Sequence, residues 1–245
     1  MEEDVAKALA YQVKRELAER YFGLRKLIEE DTAKYFKQLE EIKQKLLPRV
    51  KEAWFRLYLL LGDRALAEEL ASLLGLKGPP FYEDYLRKGE DPGLLVSLPL
   101  RGFTNKGRFK NLVLAAYERL TQVYEDYAEA FREARVEAEV INHEIELFKE
   151  KYDLSEIMQF LKSLEAPSAM ADLGHTSLEE SVTTLEKSLA LEKIPAPESF
   201  IPAPVSLPEP KDIKKELERL AKKAYQLDPQ RAKRLIAYVK AHQQG

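Results

Sequence analysis

An uninterrupted helical seam between residues 113 and 148 constrains the fold of this chain more than any other feature. Apolar side chains recur there in alternating steps of four and three residues, at Val113, Tyr117, Leu120, Tyr124, Tyr127, Phe131, Ala134, Ala138, Ile141, Ile145 and Phe148. A 3.5-residue repeat sustained over about five heptads is typical of a long helix packed against other long helices in a left-handed, coiled-coil-like manner. The seam therefore predicts one long helix over residues 105–151.

The amino-acid composition also favours a helical class. Of the 245 residues, 45% are apolar and 33% are charged, and only 10 are glycine. This balance is typical of long helices and predicts an all-α fold. Cysteine is absent, so the sequence excludes disulfides, thiolate zinc sites and thiol nucleophiles.

Two more helical patterns precede the seam. Apolar spacings of three and four predict a first helix over residues 4–47, with Val5, Leu9 and Val13 at the start of its buried stripe. Pro48 disfavours a helix interior, so it predicts a break or a kink before a second helix over residues 48–74. We expect a bundle in which these long helices run antiparallel to the seam helix.

Shorter segments fill the rest of the chain. Gly, Pro and aromatic residues predict a connector over residues 75–107, with a short helix near 79–86 and an extended segment at 94–98. Capping-box spacings predict further helices that start at Asp153 and Ser177 and end near residues 166 and 193. Six prolines between residues 194 and 210 predict a semi-rigid polyproline II linker, and two helices, 211–226 and 229–242, follow as a hairpin.

These segments predict a domain organisation. The ranges are a long-helix bundle at 1–166, an accessory helix at 167–193, the Pro-rich linker at 194–210 and a basic helical hairpin at 211–245. A hairpin of ~35 residues is too small to be reliably stable alone. We therefore expect it to dock on its own bundle or on a partner.

No feature of the sequence predicts export or membrane insertion. The acidic start, Met1-Glu2-Glu3-Asp4, differs from the basic start of a secretory signal. The most apolar stretch, residues 54–61, contains Arg56 and falls well short of the roughly 20 apolar residues that span a bilayer. We expect a soluble, cytoplasmic protein without a transmembrane segment.

The C-terminal hairpin differs in charge from the rest of the chain. Residues 211–245 carry ten basic and four acidic side chains, a net +6, whereas residues 1–210 carry a net −9. Such asymmetry favours an acidic partner, the protein's own acidic body or nucleic acid. The candidate docking residues are Lys214, Lys215, Lys222, Lys223, Arg231 and Arg234.

A second basic cluster lies at the start of the predicted seam helix. Its cations are Arg101, Lys106, Arg108 and Lys110, and residues 101–110 contain no acid. Helix N-termini favour negative charge, so this cluster predicts an anion or an acidic partner at that end. The alternative is neutralisation by acids of the adjoining connector, namely Glu83, Asp84, Glu90 and Asp91.

Signatures of catalysis are missing from the sequence. A di-iron bundle would use Glu-x-x-His pairs, but Val140 stands three residues before His143. We interpret His143, with Glu139 and Glu146 beside it, as part of a solvated charged face. We therefore assign no catalytic residue, no metal ligand and no cofactor.

Three hypotheses for function remain. The leading one is a non-enzymatic protein-protein interaction or scaffold protein with a tethered docking hairpin, for which homodimerisation stays open. The second is a nucleic-acid or anion binder that uses the 101–110 cluster and the hairpin. The third is a carboxylate-based metal or small-molecule enzyme inside the bundle.

Overall fold

The computed structural model describes residues 2–100, 105–164 and 190–243. Its helices are α1 (Glu2–Glu41), α2 (Leu47–Leu61), α3 (Arg64–Leu73), α4 (Tyr82–Lys88), α5 (Asn105–Lys151), α6 (Leu154–Leu164), α7 (Pro210–Leu227) and α8 (Pro229–His242). These residues contain no strand, which confirms the all-α class, and α5 has the predicted bounds. In the same part of the chain, no helix is both long and apolar enough to cross a bilayer. Coiled-coil-like packing stays a prediction.

The chain packs as two compact units, each built from separate stretches of sequence. The first unit comprises Met1–Leu39 and Glu133–Phe200, and the second comprises Glu40–Arg132 and Ile201–Gly245. The start of α5 therefore belongs to the second unit and its end belongs to the first. The predicted domain ranges follow the order of the sequence and stay a prediction.

In the first unit, α1 runs antiparallel to the end of α5. The Tyr21 ring lies 4.8 Å from that of Phe148 and 5.6 Å from that of Tyr152, and Tyr21 is fully buried. Tyr11 contacts Phe160 of α6 at 5.8 Å between ring centroids. The buried face of α1 consists of Ala18, Tyr21, Ile28, Tyr35 and Leu39.

The predicted start of the buried stripe in α1 is wrong. Val5, Leu9 and Val13 are 57%, 58% and 65% exposed. Successive steps of four residues rotate about 40° around a helix, so a stripe that begins at Val5 has turned by roughly 160° when it reaches Tyr21. The aromatic side chains decide which face is buried, because they cover far more apolar area than Val5 or Leu9 does.

The break predicted at Pro48 is wrong, and the alternative of a kink stays a prediction. A π-helical turn, Ile42–Leu46, joins α1 to α2, and the backbone stays helical from Glu41 to Leu47. The N–H of Leu47 bonds to the carbonyl of Ile42, five residues back. Since Pro48 has no N–H and its ring would clash with a carbonyl in a regular α-helix, the wider π turn accommodates the proline without a break.

The second predicted helix is divided at Gly62. That glycine ends α2 in the left-handed region, with φ 72°, and Asp63 then caps α3 by accepting a hydrogen bond from the N–H of Ala65 at 2.6 Å. The extended segment predicted at 94–98 is also wrong, because Pro92–Leu95 forms a 3₁₀ turn. Most of the helix predicted at 177–193 lies outside the described residues, and residues 190–193 are not helical.

The Pro-rich segment lies along α5 in both units, and we name residues 193–208 the strap. In the first unit, the Asn142 side chain exchanges two hydrogen bonds with the Ile194 backbone, at 2.8 and 3.0 Å, and the Tyr35 hydroxyl donates to the Pro195 carbonyl at 2.9 Å. Ile194 is 8% exposed and Ile201 is 2% exposed. The strap is therefore attached to the helices at separate points, and Asn142 fixes its position in the first unit.

Tyrosines of the seam bond to the strap in the second unit. The Tyr127 hydroxyl donates to the Pro202 carbonyl at 2.6 Å, and the Tyr117 hydroxyl donates to the Pro208 carbonyl at 3.1 Å. The polyproline II conformation predicted for this segment is not continuous, because Pro197–Ser199 forms a 3₁₀ turn in which the N–H of Phe200 bonds to the carbonyl of Pro197. Between these two bonds to the tyrosines, the strap advances six residues, from Pro202 to Pro208, while α5 runs back ten residues, from Tyr127 to Tyr117.

Replacing Tyr127 by Phe should lower the free energy of unfolding by about 1 kcal/mol, because the Pro202 carbonyl loses its donor in a partly buried hydrogen bond. Tyr85→Phe provides the matched comparison, since the buried Tyr85 hydroxyl has no hydrogen-bond partner among the residues that the structure describes. We expect Tyr85→Phe to be neutral or stabilising. Urea unfolding of both variants measures the difference, and an equal loss in the two would contradict these roles for the hydroxyls.

The C-terminal hairpin docks within the second unit. Its apolar face, which is buried, consists of Ile213, Leu217, Leu220, Ala224, Ala232, Leu235, Ile236 and Val239. Arg231 donates to the carbonyls of Leu59 and Leu60, where the C-terminus of α2 carries partial negative charge. Of the two predicted ways to stabilise the hairpin, packing on its own chain is the one observed.

Candidate protein-docking face

Helix α5 has a second apolar stripe that remains exposed. Val136, Val140 and Leu147 are 54%, 47% and 51% exposed, and His143 lies between them. We name these four residues the outer stripe. Their spacing of four, three and four residues places them on one face over a rise of about 16 Å, or three helical turns.

The outer stripe lies opposite the buried face of the same helix. The buried residues of α5 in the first unit include Ala134, Ala138, Ile141 and Ile145, which are at most 2% exposed. At about 100° per residue, these positions are roughly half a turn away from the outer stripe. A helix that packs on one side only carries polar residues on its other side, so this second apolar stripe has no role in the packing of the residues that the structure describes.

Acidic side chains border the outer stripe on both edges. Glu133 and Glu144 follow one edge, and Glu139 and Glu150 follow the other. All four are exposed, and none forms an ion pair within the described residues. The first unit carries 14 basic and 23 acidic side chains in its sequence, a net −9, so these glutamates belong to a strongly acidic unit.

Glu146, next to the outer stripe, is engaged by the strap. Lys193 donates a hydrogen bond to Glu146, and this bond, together with the positive charge of Lys193, lowers the pKa of the Glu146 carboxyl. Arg135 forms an ion pair with Glu198 of the strap at 2.9 Å. The strap therefore pairs with Glu146 and Arg135 of α5. It does not pair with the four glutamates along the outer stripe, which remain available to a partner.

The structure places the predicted 101–110 cluster only in part. Arg101 and the side chain of Lys106 lie outside the described residues. Arg108 is half-buried and has interactions of its own. Lys110 forms an ion pair with Glu218 of α7 at 3.5 Å. Intrachain neutralisation at Lys110 thus comes from the hairpin.

The connector acids that were expected to neutralise this cluster pair with other groups. Glu83 pairs with Arg64 at 3.5 Å, and Glu90 pairs with Arg231 at 3.5 Å. Asp84 pairs with Lys51 and Arg87, at 3.3 and 2.6 Å, and Asp91 accepts from the N–H of Gly93 at 2.9 Å. These acids therefore bond within the connector and join it to α2, α3 and α8.

The predicted docking residues of the hairpin divide into two groups. Lys223 pairs with Glu69 of α3 at 2.9 Å, and the hydrogen bonds from Lys223 and Arg219 lower the pKa of the Glu69 carboxyl. Arg231 is also used within the chain, at the end of α2. The other four, Lys214, Lys215, Lys222 and Arg234, are exposed and have no ion-pair partner in the described residues.

A concave surface lies beside the π turn in the second unit. This groove has a volume of about 870 Å³ and is lined by residues including Lys43, Pro48, Phe55, Tyr85 and Lys88. Within the described ranges, no group of three or more His, Asp or Glu residues is arranged to hold a metal ion. The hypothesis of an enzyme inside the bundle stays a prediction.

Sequence reasoning missed the outer stripe. The interpretation of His143 as part of a solvated charged face is correct for the glutamates and incomplete for the valines and leucine beside it. The signal was present, because residues 136, 140, 143 and 147 repeat the spacing of the seam in a second register.

Comparison of the chain with protein-family models, curated proteins and solved structures finds no match that would assign a family or a function.

Proposed function

We propose that this chain is a protein-protein interaction or scaffold protein that binds a basic amphipathic helix of a partner on its outer stripe. The observation that carries the proposal is an exposed apolar stripe on a helix whose opposite face is already buried. This proposal retains the leading hypothesis from the sequence, a non-enzymatic interaction or scaffold protein. The proposed docking surface, however, is on α5 and not on the C-terminal hairpin.

The spacing of the outer stripe supports a helical partner. Two helices meet through side chains at positions i, i+4, i+7 and i+11, and Val136, Val140, His143 and Leu147 occupy this series. A stripe of three turns is long enough for three apolar anchors of a bound helix. Because the outer stripe sits on a long, packed helix, the partner meets a rigid surface and loses little affinity to ordering.

The bordering glutamates support a basic partner. An apolar seam with acidic edges is complementary to a helix that has an apolar stripe between rows of Lys or Arg. Acidic helices would meet Glu133, Glu139, Glu144 and Glu150 with like charge. The chain's lack of cysteine supports placing this interaction in a reducing cytoplasm.

Two labelled synthetic helices of equal length, one built from Leu and Lys and one from Leu and Glu, test the proposal by fluorescence anisotropy. We expect the Lys-containing helix to bind and the Glu-containing helix to fail. Val140→Gln with Leu147→Gln should weaken binding at least tenfold, because each truncated anchor contributes about 1–2 kcal/mol. Both positions are half-exposed, so folding should be unaffected.

The matched control changes the same residue types on another exposed face. Val5→Gln with Leu9→Gln removes one valine and one leucine from α1, where both are more than half exposed. We expect this variant to bind the Lys-containing helix as the wild type does. Equal losses in the two double variants, or equal binding of the two helices, would disprove recognition by the outer stripe. Light scattering on the same samples reports whether a second copy occupies the face instead.

A further inference from the structure

The outward side of the hairpin carries a concentrated set of free cations. They are Lys211, Lys214, Lys215 and Lys222 of α7 and Lys233, Arg234 and Lys240 of α8. All seven are exposed, and none has an ion-pair partner within the described residues. We name this set the cationic face.

Helical geometry directs the cationic face away from the packed side. Lys211, Lys215 and Lys222 fall within about 40° of one another around α7, roughly opposite its buried leucines. Lys233 and Lys240, seven residues apart, likewise share one face of α8. Because the apolar side of the hairpin is buried in the second unit, these lysines are held in place on two docked helices.

The cationic face lacks the residues that a protein or lipid partner requires. Leu227 is the one exposed large apolar side chain among residues 210–242, all of which the structure describes. Protein interfaces bury apolar anchors and are depleted in lysine, and interfacial membrane helices insert apolar side chains. A phosphate backbone needs neither, since its binding energy comes largely from counterion release by Lys and Arg.

We propose that the cationic face binds the phosphate backbone of duplex nucleic acid without sequence preference. Lys211, Lys215 and Lys222 contact successive phosphates along α7, and Lys233, Arg234 and Lys240 add contacts from α8. Lys223 and Lys110 take no part, because Glu69 and Glu218 already neutralise them. This surface belongs to the second unit and shares no residue with the outer stripe.

Binding of the full chain to short labelled DNA duplexes of unrelated sequence tests the proposal. We expect similar affinity for each sequence and a fall in log K with log salt of slope about −4.5 to −6, which corresponds to roughly five to seven phosphate contacts. Lys215→Gln with Lys222→Gln should make the slope less steep by about 2 and weaken binding about tenfold or more at roughly 0.1 M salt. Neither side chain is buried, so the variant should fold.

Lys43→Gln with Lys45→Gln is the matched control. These lysines belong to the same unit, are exposed and carry no ion pair within the described residues, so the variant removes equal charge elsewhere. An unchanged slope in this control supports the cationic face, whereas an equal reduction overturns it. Absence of binding at about 50 mM salt also overturns the proposal. So does tighter binding to anionic lipid vesicles or to polyglutamate than to the duplex at equal anion concentration.

Discussion

Raising the pH from about 10 to 12 is expected to unfold this protein cooperatively, because its buried tyrosines resist ionisation. Burial is the main cause that raises the pKa of Tyr35, Tyr85 and Tyr127 to about 12. All three residues are buried, with at most 5% of each exposed. Circular dichroism followed against pH measures the transition.

The direction follows from where each tyrosine releases its proton. In the unfolded chain these tyrosines ionise near their ordinary pKa of about 10, so the unfolded state loses protons first as the pH rises. Their contribution is complete below about pH 10 and declines as the pH approaches the folded pKa of about 12. At pH 11 the contribution of each of the three tyrosines to the free energy of unfolding has fallen by roughly 1.4 kcal/mol. The sum of these losses is a large part of a typical stability of about 5–15 kcal/mol.

The absorbance of the buried tyrosines, once ionised, should therefore appear together with unfolding, at a higher pH than in free tyrosine. Tyr35→Phe combined with Tyr85→Phe removes two of these three tyrosines and should move the alkaline midpoint upward. Burial also raises the pKa of Tyr117 and Tyr58, so both keep part of the transition in this variant. A chain that ionises its buried tyrosines near pH 10 while still folded would contradict the prediction.

Trp54→Ala is expected to lower the free energy of unfolding of the second unit by about 3–5 kcal/mol. Trp54 is fully buried, stacks on Tyr58 with ring centroids 5.8 Å apart and meets the edge of Tyr124 at 6.4 Å. Truncation leaves a cavity among aromatic rings that cannot collapse to fill it. Thermal unfolding monitored by circular dichroism measures the loss, at about 2–4 °C for each kcal/mol.

Two further variants separate burial from residue type. Trp54→Phe keeps most of the ring volume, so we expect it to cost much less than the alanine variant. Leu86→Ala truncates a large apolar side chain in the same unit, but Leu86 is 50% exposed and should cost under about 1 kcal/mol. Similar losses for Leu86→Ala and Trp54→Ala would show that the aromatic cluster is not the core of this unit.

The corrections to the predicted elements share a physical cause. Periodicity located α5 correctly because its seam repeats through many turns, and no single residue can shift it. Pro48 and Gly62 are single residues whose effect depends on backbone geometry: a π turn accommodates the proline, and an Asp63 cap completes the break at the glycine. The propensities of single residues do not predict whether a helical turn is α or π, or which N–H a capping side chain will bond.

The candidate sites show the same limit. The sequence singled out Lys214, Lys215, Lys222 and Arg234 together with Lys223 and Arg231. Only the folded chain brings Glu69 to Lys223 and the end of α2 to Arg231, across more than 150 residues of sequence. The outer stripe was missed for a related reason. Its spacing shows that these residues share one face of a helix, but spacing does not show whether other residues cover that face.

The sequence by itself determined the helical class, the bounds of α5 and the opposite charge of the two ends of the chain. These features depend on residue type and on spacing along one helix, and both can be read without knowing distant contacts. The tertiary structure alone decided that the Pro-rich segment is a strap, that α1 buries its aromatic face and that the outer stripe stays exposed. Burial and hydrogen bonding are properties of pairs of distant residues, so they are settled only when the chain has folded.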